Sequence, residues 1–482
     1  MATETRPAQP AAKNAIPGEP IQLPREPAVR WWVVPLAAFG VLVLLLVLAA
    51  AVIAWRWRAD NLAAVARVKK EVARIEASGH PITTEGLYAY HRVPAGTLDS
   101  TALWLAALNS FDERQFNTDR KDLPIVGTAE SSALAPPGDP ALLADSAAFL
   151  KKYDPTREAI LAAVRHGGEC RIPVKFEDGI GMLLPNAQKV RDLAQLLALD
   201  IRVRSCHGDA AGALESLDAL YATTVTMQGQ LTLIEQLVEM AVESVAFKET
   251  EQLLNELEFS DEQLARLEAR LAALDIQGGL TTGLIGERAM GYHTFHHLEN
   301  VPDVPQLKGM GKSGQLSRPA DCEWYLQLLE ELIAASKEPF PEARQRAQAA
   351  EMKLKQRAGA KNPLEKMKYM VTLMILPATG AAFDASGRTL AHRDVLRMAV
   401  AAERHRLATG AFPAQASDLV PKYLPAIPRD PFDGLPLRLK PGADSGELFI
   451  YSVGKDGQDN GGLATSPSDP DIVVRLRAKK GP

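Results

Sequence analysis

Residues 454–462 read Gly-Lys-Asp-Gly-Gln-Asp-Asn-Gly-Gly, two carboxylates and two side-chain amides among four glycines. Carboxylates beside backbone that can turn its carbonyls inward suit a hard cation, and calcium accepts such mixed oxygen cages. Asp456 and Asp459 stand three apart, and Asp471 enters the next apolar run, so these three are the candidate metal ligands, with Asp469 close by in sequence. The loop is not an EF-hand. Counted from Asp456, Asn460 and Gly461 fit that pattern, but Gln458 and Pro467 do not. The other reading is a glycine-rich hairpin loop whose aspartates only favour the turn.

A second cluster lies in GERAMGYHTFHHLEN at 286–300, which carries His293, His296 and His297, with Glu287 and Glu299 nearby. His293 and His297 would share one face of a helix, a spacing that metals use. The glutamate base of an HExxH site is missing, because Thr294 holds its place, and packing accounts for these rings more simply. Nucleotide and hydrolase motifs are excluded. Gly311-Lys312-Ser313 lacks the first P-loop glycine, since Gln306 is there, and Gln315 breaks a G-x-S-x-G elbow. Gly179-Ile180-Gly181 lacks the third glycine of a dinucleotide fingerprint. Cys170, Cys206 and Cys322 form no CxxC. Cys170 could pair with Cys206 outside the cytoplasm, but three unpaired, mostly buried thiols are the plainer reading. A net charge of −5 argues against nucleic-acid binding, and no motif identifies a small-molecule substrate.

The segment with the clearest signal among those that must hold these residues is 31–55, WWVVPLAAFGVLVLLLVLAAAVIAW, which carries no charge. A hydrocarbon core about 30 Å thick needs about 20 apolar residues of helix, so this run is long enough to span it. Trp31, Trp32, Trp55 and Trp57 bracket the run as interfacial aromatics do. A cleaved signal peptide has a shorter apolar core and fits poorly, so a single-pass uncleaved anchor in the inner (cytoplasmic) membrane is expected. Arg25 and Arg30 precede the span, whereas Arg56, Arg58, Arg67, Lys69 and Lys70 follow it. Those charges alone would keep the large C-terminal part in the cytoplasm, yet large domains cross largely regardless of charge.

Residues 1–30 are rich in proline and read as a disordered N-terminal tail. Helical periodicity dominates 56–275. There Ser260 and Gln263 have capping-box spacing, and Leu264, Leu267, Leu271 and Leu274 follow as an apolar stripe. The segment 276–320 reads as a Gly/Pro-rich connection with a short helix at about 284–298, and 321–384 as further helices. In 385–482 a helix over 388–409 precedes turn-dense sequence and strands in GELFIYSV, in DIVVRLRA and over 435–440. The expected fold class is mainly α. It comprises one transmembrane helix, an irregular helical-hairpin body (solenoid- or bundle-like), and a small C-terminal α+β module with a short antiparallel sheet.

The C-terminal stretch AVAAERHRLATGAFPAQASDLVPKYLPAIPRDPFDGLPLRL, then FIYSVGKDGQDNGG and DPDIVV, resembles the end of the type II secretion major pseudopilin. That resemblance implies a helix followed by a small sheet, and a calcium-binding loop onto which Asp456, Asp459 and Asp471 map best. It covers only about the last 90 residues, and the prepilin cleavage signature is missing before the apolar span. Over the whole chain, ASGHPITTEGL, CRIPVKF, FSDEQLARLEARLAAL and GERAM resemble an uncharacterised membrane-anchored family from planctomycetes and relatives. That family implies an anchored, extracytoplasmic helical body with a pseudopilin-like tail, and supplies no activity. The expected function is a membrane-anchored, non-enzymatic scaffold or interaction protein with unknown protein partners. The alternatives are an accessory of a type II secretion or pilus-like assembly and, less favoured, a metal-dependent enzyme using His293 and His297.

Overall fold

The computed structural model describes residues 33–135, 138–298, 318–376, 379–442, 446–462 and 471–478. The tail 1–30, Trp31 and Trp32, the motif at 309–314 and Asp469 lie outside the described residues. The chain divides into two units, Met1–Asp60 and Asn61–Pro482. The apolar part of the first unit lies on helix α1 (Val33–Ala77), where Leu42, Leu45, Leu46, Ile53 and Trp55 are all exposed. Its apolar window buries nothing and is long enough to cross a membrane.

In the second unit the last turns of α1 bury Ala64, Val68 and Ile75. Short helices follow at α2 (Thr84–Tyr90), α3 (Thr101–Leu108) and α4 (Glu113–Asp119), then α5 (Pro140–Lys152) and α6 (Asp154–His166). Helices α7 (Asn186–Cys206) and α8 (Ala210–Ala222) form the hairpin expected at Gly208, whose φ of +71° only glycine adopts without strain. Helix α9 (Leu233–Glu256) is one long helix, started by a capping box between Thr232 and Glu235. The Ser260–Gln263 box starts α10 (Asp261–Ala272), which buries Leu264, Leu267 and Leu271.

Helix α11 (Ile276–His296) is longer than the short helix expected over 284–298. Its glycines do not break it; they let neighbouring chain come close. A Cβ at Gly286 would lie 1.8 Å from the Leu231 carbonyl oxygen, and one at Gly291 would lie 2.0 Å from the Tyr325 hydroxyl. Helices α12 (Pro319–Ala335), α13 (Phe340–Ala358), α14 (Pro363–Lys368), α15 (Met370–Ile375) and α16 (Thr379–Thr409) complete the helical part. Helix α16 passes the same apolar-length test as α1, but most of its window is buried, as in a core helix.

Strands β1 (Arg438–Pro441), β2 (Glu447–Ser452) and β3 (Ile472–Arg477) form an antiparallel sheet in that order, with Leu439 opposite Ile450 and Ile450 opposite Val474. The sheet shares its core with the helices: Leu448, Ile450, Val474 and Leu476 belong to the cluster that contains Leu396 and Val400 of α16 and Phe247 of α9. The outer edge of β3 is covered by α9. Asn255 donates from Nδ2 to the Arg475 carbonyl and accepts from the Arg477 N–H, both at 2.9 Å, as a neighbouring strand would. Cys170, Cys206 and Cys322 are free thiols, so the Cys170–Cys206 pairing is not formed.

Candidate functional site

The loop after β2 spreads its acids apart. Asp456 is exposed and accepts from the Gln458 N–H at 3.0 Å, closing its own turn. Asp459 accepts from the Gly461 N–H at 2.9 Å, and that bond first, then the Tyr451 hydroxyl and Arg438, holds its carboxyl below the usual range. Asp471 is buried and accepts from the Gly462 N–H at 2.9 Å. Among the described residues, no three His, Cys, Asp or Glu side chains are gathered as a metal would need. The cation beside these acids comes from the protein. Arg438 of β1 bonds Asp433 through Nη2, reaches Asp430 at 2.9 Å through Nη1, and lies 3.5 Å from Asp459 through Nε. Among the described residues the donor set therefore matches a guanidinium-centred cluster rather than the convergent oxygens of a calcium cage.

The histidine cluster is also satisfied within the protein. His293 and His297 stack with centroids 4.4 Å apart. His293 engages Thr84 Oγ1 through Nδ1 and the Glu177 carbonyl through Nε2, both at 3.1 Å. Burial, then the neighbouring His297, lowers its basicity. His296 turns to the Tyr292 carbonyl at 3.1 Å. Both ring nitrogens of His293 are committed, and a metal would have to displace those bonds.

Two features were not anticipated. The first is a buried row of carboxyls on α9, where Glu235, Glu239 and Glu243 recur every four residues and so share one face. Burial raises Glu235 to about 7 and also raises Glu243; burial and then the charge of Glu243 push Glu239 well up. Glu243 faces Arg393 of α16, yet its Oε2 is buried without a hydrogen bond. Glu287 of α11 is raised to about 7 by burial and accepts from the Leu233 N–H at 3.1 Å.

The second feature is an apolar groove between α9 and α16. One part, about 510 Å³, is walled by Leu233, Ile234, Met290, Ile375 and Ala382, and Glu287 also lines it. The next part, about 380 Å³, continues past Met240, Ala241, Thr389 and His392. Leu237, Ala385 and Arg388 line both parts. Large apolar side chains stay in solvent around it: Leu183 is 83% exposed, Ile234 58%, Met374 45% and Leu237 37%. Arg388 is exposed and has no side-chain hydrogen bond or ion pair with a described residue. The sequence hint was α9 itself, where Leu233, Ile234, Leu237, Val238 and Ala241 put apolar groups on more than one face.

No family model, curated protein or solved structure matches the chain.

Proposed function

We propose that this chain is a membrane-anchored, non-enzymatic interaction protein. The apolar run 31–55 holds it in the membrane, and its helical body receives a partner in the groove between α9 and α16. One observation carries this reading. Ile234, Leu237 and Met374 stand exposed together around one groove, whereas isolated surface apolars are scattered. Soluble surfaces seldom gather large apolar side chains without a use for them. The methionines Met182, Met290 and Met374 give the groove a wall that adapts to what it holds.

Photocrosslinking of the full chain in its native membrane tests the reading. A photoreactive residue at Ile234 is expected to give a discrete adduct, and one at Leu98, exposed outside the groove, none. Ala385→Trp, which fills the groove, is expected to suppress the adduct. An adduct from Ile234 that persists in Ala385→Trp, or no adduct at all, would overturn the proposal.

A further inference from the structure

We infer that the groove between α9 and α16 is built to hold an amphipathic α-helix of a partner protein that carries an acidic residue at its midpoint. This rests on the reading of the groove as the partner-binding surface and adds the chemistry of the partner.

The walls fix the length and form of the occupant. Along α9 the groove runs past Leu233, Leu237, Ala241 and Ser244, with Ile234 and Met240 beside them; along α16 it runs past Ala381, Ala385, Arg388 and His392, with Ala382 and Thr389 beside them. Each run of four follows the three- and four-residue spacing of a single helix face. Residues 232–237 share the first part with 381–388, and residues 237–244 share the second with 385–392, so the two walls advance in the same direction. Eleven residues of helix rise about 16 Å, which is three turns. Two helix faces side by side over three turns form the channel into which the ridge of a third helix packs. Ala241, Ala381, Ala382 and Ala385 leave room for its backbone to approach.

The cation decides between a helix and an acyl chain. Arg388 lines both parts of the groove, with apolar wall on either side of it. A fatty acid bears its carboxylate at one end. Seated on Arg388, it would fill one part and leave the other open. A helix can place one glutamate at its centre and apolar residues a turn before and a turn after, which meets the charge and covers both parts. The acids nearby do not take Arg388 from that glutamate. Glu287 accepts a backbone N–H, and Asp384 is paired with Arg344 and Lys455.

The test uses the full chain in lipid nanodiscs with two labelled, end-capped peptides of about four helical turns. Both carry leucines along one face and differ only in a central Glu or Lys. The Glu peptide is expected to bind the wild type saturably and Arg388→Glu at least tenfold more weakly. The Lys peptide is expected to show the reverse order, and Ala385→Trp to abolish both. The inference falls if the Glu peptide does not bind, if it binds wild type and Arg388→Glu alike, or if dodecanoate displaces it from the groove. Should the peptides fail while the Ile234 adduct remains groove-dependent, the docking surface stands and its helical partner does not. Loss of the adduct as well would remove both.

Discussion

Arg438 donates from Nη1 to Oδ2 of Asp430 at 2.9 Å, and Asp430 is fully buried. The same carboxylate accepts from the N–H groups of Phe432 and Val453 and from the Ser452 hydroxyl, at 2.8–3.0 Å. Burial pushes its carboxyl up against those donors. One side-chain cluster therefore ties the turn at 430–434 to β1, to the end of β2 and, through Asp459, to the loop that follows. Removing the cation strands a buried carboxylate, which costs about 3 kcal/mol or more. Arg438→Ala is expected to lower the thermal midpoint of the full chain, and Arg438→Lys to recover only part of the loss, because Lys cannot form the planar fork. A midpoint within error of wild type would contradict this role.

Metal removal gives the companion prediction. With Arg438 supplying the positive charge beside Asp430, Asp433 and Asp459, the wild-type midpoint is expected to be the same in millimolar calcium and in chelator. In Arg438→Ala the three carboxylates lose their counterion. A cation that binds only the folded state then stabilises by mass action, so calcium is expected to raise the variant's midpoint. A wild-type midpoint that drops in chelator would instead assign the loop a calcium ion.

The long apolar helix, the helical body and the terminal sheet were legible because each rests on local sequence: an uncharged apolar run, helical periodicity with a capping box at Ser260, and the β-prone run in GELFIYSV. The loop's acid density was legible too. Its wiring was not, because Arg438 reaches Asp459 through folding and nothing in the spacing of the two announces it. The groove was hidden for a similar reason. Periodicity marks Ile234 and Leu237 as apolar, but tertiary packing decides that both stay in solvent. The glycines of α11 misled in the opposite sense, since composition reads them as breakers and packing uses them as contact points.

The acid row on α9 predicts a pH dependence. Burial raises Glu235, Glu249 and Glu287 to about 7, and Glu239 and Glu243 are raised as well. A carboxyl whose folded pKa lies above its unfolded value favours the folded state when protonated. That stabilisation is fully present below the unfolded value, near 4.5, and is lost as pH rises through the folded one. The thermal midpoint is expected to fall between pH 5 and pH 8 along this row. Glu243→Gln keeps the shape without the charge. It is expected to be more stable than wild type at pH 8, by on the order of 1–2 kcal/mol, and to show a flatter pH profile. A profile as steep as wild type would remove Glu243 from the cause.

Gly286 tests the close approach of α11. A Cβ there would meet the backbone carbonyl of Leu231 at 1.8 Å, and backbone cannot swing aside as a side chain end can. Gly286→Ala is expected to destabilise the full chain by about 1–3 kcal/mol, toward the upper end because the neighbour is backbone, through overpacking. Gly40, with open space around it, is the control: alanine there is expected to be neutral or slightly favourable to the helix. Equal stability of the two variants would show that α11 can shift away from Leu231.

The apolar run predicts how the chain partitions. Leu45 lies near the middle of an uncharged 25-residue stretch and is 57% exposed, so in a spanning helix a charge there would face lipid. Arginine at the centre of a span costs about 2.5–3.5 kcal/mol on the insertion scale, so two such changes, about 5–7 kcal/mol together, offset most of what the apolar residues contribute. The wild-type chain is expected to stay in the membrane pellet after alkaline carbonate washing, at its full length. Leu42→Arg/Leu45→Arg is expected to move to the supernatant. A wild-type chain that is soluble and shortened near residue 55 would identify the run as a cleaved signal instead. Orientation is read separately, from a reporter fused after Pro482 that is active only outside the cytoplasm. An active reporter is expected if the large body crosses regardless of charge, whereas the Arg and Lys residues just after the span favour silence. An active reporter together with carbonate resistance would place the groove between α9 and α16 on the extracytoplasmic side, and partners would then be sought there. A silent reporter on a carbonate-resistant chain would move that search to the cytoplasm without altering the groove.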